Sequence, residues 1–66
     1  MSEDTMKVMI VDDHDMARLG LRNYLLIEPS ITVIGEASNG AEALRALQNG
    51  LEGGMPDVIL MDLFMP

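Results

Sequence analysis

No cysteine occurs in the 66 residues, and His14 is the single histidine. A disulfide is therefore excluded, and so is a Cys/His zinc site. Positive charge is sparse. Lys7, Arg18, Arg22 and Arg45 are scattered among eleven acidic residues, for a net charge of -7. A groove that tracks a phosphate backbone needs clustered Lys and Arg, so direct binding of this segment to nucleic acid or to an anionic membrane is not expected. No apolar run approaches the roughly 20 residues of a membrane helix. The start of the chain (Met1, Ser2, Glu3, Asp4, Thr5) is acidic and polar, opposite to the basic start of a signal peptide. These absences predict a soluble cytoplasmic protein.

Aromatics are also few, Tyr24 and Phe64 alone, although 48% of the residues are hydrophobic. An aliphatic, Met-rich composition suits a parallel sheet covered by helices. The length allows one small domain or a piece of one. Chains of this size bury only about 60% of the surface that their unfolded form exposes. Small scaffolds usually need a disulfide, a metal or a partner chain, and association with another chain is the remedy left open here.

Met6–Val11 is a nearly continuous apolar run ended by Asp12 and Asp13. That pattern predicts a strand buried on both faces. Ala17, Leu21 and Leu25 then recur at helical spacing with Gly20 and Tyr24 beside them. Asp15 is the expected N-cap. Pro29 should stop this helix near Ile27 or Glu28. Ile31–Ala37 reads as a second strand with β-branched residues at its start. Asn39 and Glu42 have the spacing of a capping box opening a second helix, whose expected buried face is Ala43, Leu44 and Leu47. Gly50, Gly53, Gly54 and Pro56 make a connection. Asp57–Met61 is the third strand, with Asp62 at its end and Leu63-Phe64-Met65-Pro66 beginning a loop.

The order β-α-β-α-β argues for an α/β fold with a parallel sheet. Right-handed crossovers place one helix on each face if the strand order is 2-1-3. A switch point then lies between strands 1 and 3, and such sheets bind ligands outside the carboxyl ends of the strands at that point. Asp12, Asp13 and Asp62 belong to those ends. Three converging carboxylates repel one another. A Mg²⁺ ion relieves this conflict, accepts oxygen ligands, and neutralises charge on a transferring phosphoryl group. A carboxylate can itself be the nucleophile that forms an acyl phosphate. The plainer reading is that acidic residues merely end strands and cap helices. What favours a shared site is that both acidic groups follow apolar strands at the same expected end of the sheet.

Val8-Met9-Ile10-Val11-Asp12-Asp13-His14 and Pro56-Asp57-Val58-Ile59-Leu60-Met61-Asp62-Leu63-Phe64-Met65-Pro66 resemble two signature segments of bacterial response-regulator receiver domains. The length of chain between them also fits. Asp13-His14, Arg18, Gly20-Leu21 and Val33-Ile34-Gly35-Glu36-Ala37-Ser38-Asn39-Gly40 resemble the subfamily whose receivers precede a LuxR-type helix-turn-helix domain. The resemblance covers nearly all of this chain and about half of the family's domain. It implies a partial receiver over residues 1–66, cut after the phosphorylation-site strand of a flavodoxin-like doubly wound sheet. It implies that Asp62 accepts a phosphoryl group from the phosphohistidine of a histidine kinase. It further implies Mg²⁺ held by Asp13 and Asp62, by Asp12 through water, and by the backbone carbonyl of Phe64. The family also uses a hydroxyl residue after strand 4 and a lysine after strand 5, elements that these residues do not include. Lys7 belongs to the opposite end of the sheet.

Other residues have ordinary readings. His14 is expected to be a partly exposed residue at the start of the first helix, and Arg18 and Arg22 solvated helix-face charges. Met9, Met16 and Met61 read as core filler. Gly35 to Gly40 lacks the ending of a phosphate loop and follows the wrong strand. Two other functions compete. An apolar, unpaired edge of strand 3 could recruit a second chain, giving a self-associating interaction fragment. A haloacid-dehalogenase-like phosphohydrolase would want an acid two residues after the nucleophile, where this chain has Phe64.

Overall fold

The computed structural model describes residues 5–61. Their order is β1 (Met6–Val11), α1 (Asp15–Leu26), β2 (Ile31–Ala37), α2 (Gly40–Asn49) and β3 (Val58–Met61). The strands pair in parallel in the order β2-β1-β3, the α/β arrangement expected from the alternation of elements.

The central position of β1 explains its unbroken apolar run. Met9 and Ile10 are fully buried, and Val8 and Val11 nearly so. Side chains alternate between the faces of a strand. Val8 and Ile10 accordingly pack with Leu25 of α1, while Met9 and Val11 pack with Ala37 and with Ala43 of α2. One helix therefore covers each face. Helix α1 stops at Leu26, with the C-cap Ile27 donating its N–H to the Leu25 carbonyl. Gly50, at φ 89°, ends α2 in a left-handed conformation that favours glycine.

Several expected burials do not occur. Ala17 is exposed, Leu21 is half-buried, and on α1 only Leu25 is buried. Helix α2 docks through Ala43, Ala46 and Leu47, which share one helical stripe. Leu44 falls on its flank and is exposed. Met9 is core, whereas Met16 and Met61 are exposed. Met16 lies in the first turn of α1, ahead of the part of the helix that packs on the sheet. Strand β3 begins at Val58, one residue later than expected. Asp57 instead ties the strand starts together: its N–H donates to the Lys7 carbonyl (2.7 Å) and its carboxylate accepts the Lys7 N–H (2.9 Å).

The pairing of β1 with β2 contains an irregularity. Val8 faces Val33, but Met9 faces Gly35, so Ile34 is an extra residue in β2. A bulge of this kind reverses the facing of every residue beyond it. Ile31 and Val33 pack on the α1 side. Ala37 packs on the α2 side, and Glu36 turns toward α1, where it meets Arg18 and Arg22. The connection after α2 fits against the bulge. A Cβ on Gly53 would lie 2.5 Å from Ile34 Cγ2, and one on Gly35 would lie 3.1 Å from Leu51 Cδ2.

Candidate functional site

The carboxyl end of β1 carries the acidic pair. Asp12 extends the sheet by one bond, its N–H donating to the Ala37 carbonyl at 3.0 Å. It is the one charged residue buried among the described residues, at 8% exposure. Its carboxylate Oδ1 accepts the backbone N–H of His14 at 2.9 Å, a local turn in which an Asp side chain imitates a backbone acceptor. Asp13 points outward, its side chain 68% exposed.

The N-cap of α1 is His14, not Asp15, and His14 makes no side-chain cap bond. Asp15 is the first helical residue, and its carboxylate is held by Arg18 Nη2 at 2.7 Å. The Asp12 turn thus organises the helix start that Asp15 was expected to organise. His14 is partly exposed, as expected, with Nδ1 2.9 Å from Asp13 Oδ1 and 3.3 Å from Asp12 Oδ1.

Ligand atoms of Asp12, Asp13 and His14 all lie within 4.8 Å of one another. The donor set is two carboxylates and one imidazole. Hard divalent cations take carboxylate oxygens. Among the described residues, no Lys or Arg is paired with either the Asp12 or the Asp13 carboxylate. Their side-chain partner among the described residues is the His14 imidazole, and two adjacent carboxylates are a donor set that fits Mg²⁺. The expected acceptor Asp62 and the Phe64 carbonyl lie outside the described residues. Lys7 is at the opposite end of β1, where its backbone pairs with Asp57.

An open groove of about 320 Å³ adjoins the acidic pair, lined by Ile10, Val11, Asp12, Leu21, Leu60 and Met61. It is bounded by Leu21 of α1 and by the ends of β1 and β3.

Arg18 was expected to be a solvated charge, and the structure corrects this. Its side chain is only 20% exposed. Nη1 donates to the Asp12 carbonyl at 2.6 Å and Nη2 to Asp15, while Nε lies 3.4 Å from Glu36 Oε1. Arg22 is more exposed but also ion-paired, its Nη1 3.2 Å from Glu36 Oε2. The sequence hides both contacts, because simple alternation along β2 turns Glu36 to the other face.

At the start of α2, Asn39 Oδ1 accepts the Glu42 N–H at 2.8 Å, as the capping box predicts. Glu42 answers by accepting from the Ser38 N–H (2.6 Å) and hydroxyl (2.9 Å). The backbone bond from Ser38, followed by the hydroxyl bond, holds the Glu42 carboxyl below its ordinary pKa.

This chain belongs to the response regulator receiver domain family, whose model matches residues 8–66. Receivers of this family are signalling modules of two-component systems. The chain is 52% identical over 59 residues to the transcriptional regulatory protein LiaR of Bacillus subtilis, covering 89% of this chain and 26% of that protein. It is 48% identical over 61 residues to the uncharacterized transcriptional regulatory protein YhcZ of Bacillus subtilis and, equally, to the response regulator protein VraR of Staphylococcus aureus. Each of these two matches covers 92% of this chain and 27% of the relative. The chain therefore spans about a quarter of the length of these relatives. No solved structure matches it at a significant level. No helix among the described residues is long and apolar enough to cross a membrane.

Proposed function

We propose that this chain is the phosphoacceptor part of a cytoplasmic receiver, with Asp62 taking a phosphoryl group from a histidine kinase. The observation that carries the reading is the convergence of Asp12 and Asp13 at the carboxyl end of β1, in a sheet whose β3 lies parallel to β1 and ends one residue before Asp62 in the sequence. An Asp62 carboxylate oxygen forms the new bond to phosphorus as the bond from phosphorus to the kinase imidazole nitrogen breaks. The product is an acyl phosphate. Mg²⁺ would neutralise charge on the transferred group. Asp13 and Asp62 would hold it directly, Asp12 through water, and Phe64 through its carbonyl oxygen. The 66 residues alone are a weak acceptor, because they carry no counterpart of the hydroxyl and lysine that stabilise developing charge in the family. Any contact with DNA belongs to residues other than these.

The test is treatment with acetyl phosphate or phosphoramidate and Mg²⁺, followed by intact mass. A phosphoryl adduct is expected on the wild type, slower than on a longer receiver, and none on Asp62→Asn. Equal labelling of the two chains refutes the assignment of Asp62.

A second reading concerns association. Ile59, Leu60 and Met61 on β3 are exposed at 40%, 37% and 44%, and among the described residues β3 pairs on one side only. An apolar strand edge of this kind recruits a second strand, so the isolated chain should self-associate through β3. A monomeric mass by light scattering at high concentration would count against this.

A further inference from the structure

Among the described residues, the Arg18 guanidinium is the one side chain that joins the acidic loop to both α1 and β2. It donates to the Asp12 carbonyl at 2.6 Å, on the peptide that links Asp12 to Asp13. It also holds Asp15 at 2.7 Å and lies 3.4 Å from Glu36. Glu36 is itself fixed by Arg22 at 3.2 Å and by the strand register beyond the Ile34 bulge. Because these contacts come from different elements, the Asp12–Asp13 peptide cannot rotate without breaking a short charge-assisted bond. Arg18 makes no ion pair with the Asp12 or Asp13 carboxylate. Its action on that pair passes through the backbone.

We propose that Arg18 is a positioning residue that sets the divalent-cation affinity of the Asp12–Asp13 pair by clamping the peptide between them. The inference rests on the metal reading of that pair given above. It makes a prediction opposite in sign to simple electrostatics. A positive charge near a cation site repels the cation, so deleting Arg18 as a mere charge tightens binding. Deleting it as a clamp weakens binding. Groups that orient ligands from behind typically change metal affinity 10–100-fold.

The experiment is Mn²⁺ binding followed by electron paramagnetic resonance, with Mg²⁺ competition, on the 66-residue chain and its variants, each checked by circular dichroism. Arg18→Met is expected to weaken Mn²⁺ binding roughly ten-fold. Arg18→Lys, which keeps the charge but loses the planar fork, should recover part of the loss. Arg22→Met removes an equal charge and loosens Glu36 without touching Asp12, so it should weaken binding less than Arg18→Met; a loss as large as that of Arg18→Met overturns the inference. An Arg18→Met chain that binds as tightly as wild type, or more tightly, overturns the inference. If Arg18→Met fails to fold, Arg18→Lys decides: weaker binding than wild type supports the clamp, and equal binding overturns it. The arm with Asp13→Asn separates the two levels. A wild type that binds no better than Asp13→Asn overturns the metal reading and the inference with it. A wild type that binds better, beside an unchanged Arg18→Met, overturns the inference alone.

Discussion

Gly53→Ala should destabilise the chain far more than its single added methyl suggests. The new Cβ would sit 2.5 Å from Ile34 Cγ2 and 2.9 Å from Ile34 Cβ. The second of these atoms is fixed to the backbone and cannot swing away. Ile34 is the extra residue of the β2 bulge, so relief requires moving either the bulge or the connection after α2. Overpacking of this kind costs about 1–3 kcal/mol. A chain of this size is stable by only roughly 3–10 kcal/mol, so the loss is a large fraction of the whole. Each kcal/mol lowers the thermal midpoint by roughly 4–8 °C in a domain of this length. The assay is urea unfolding by far-UV circular dichroism on wild type, Gly53→Ala, Ile34→Ala and the double variant. Gly53 does not have a positive φ. In the Ile34→Ala background the 2.5 Å approach to Cγ2 is gone but the 2.9 Å approach to Cβ remains, so the alanine should cost clearly less there than in the wild type. The two changes should thus be non-additive, as found for residues in contact. Additive effects of the two substitutions would refute the close approach of Gly53 to Ile34, and with it the account of how the bulge is held.

Other outcomes follow from the same geometry. Ile10→Ala empties a fully buried position on β1 and should cost about 2–5 kcal/mol, enough to leave much of the chain unfolded by circular dichroism. Asn39→Ala removes the acceptor for the Glu42 N–H and should cost about 1 kcal/mol, read as a lower urea midpoint. The Glu42 carboxyl has its pKa lowered in the fold from 4.5. Its stabilising contribution is therefore present above the unfolded value and lost as pH falls through the lower folded value. Wild type should accordingly exceed Glu42→Gln in stability near neutrality and converge toward it as acid is added below about pH 4.5. Leu60→Lys on β3 should reduce self-association by placing a charge on the exposed strand, measured by sedimentation against wild type.

The elements were largely legible in the sequence because their signals are local. The apolar run of Met6–Val11 marked a strand with both faces covered, and Ile31–Ala37 marked the second strand with its observed bounds. Asn39 and Glu42 announced the start of α2, since a cap involves residues only three apart. The site was legible in part. Asp12 and Asp13 were singled out by their place after β1, and the structure brings their ligand atoms together with one from His14.

What escaped the sequence depends on contacts between distant segments. Leu44 and Met16 have the composition of core residues but lie off the stripe that meets the sheet. Arg18 looks like any helix-surface charge until Glu36 and the Asp12 carbonyl are placed beside it. By itself the sequence determined the order of the elements, the parallel class of the sheet and the residues at the carboxyl end of β1, because hydrophobic period and turn chemistry act over a few residues. Only the tertiary structure decided the facing of Glu36 and the anchoring of the acidic loop. The extra residue at Ile34 inverts the alternation of β2, and that bulge is held by a glycine nineteen positions further along the chain.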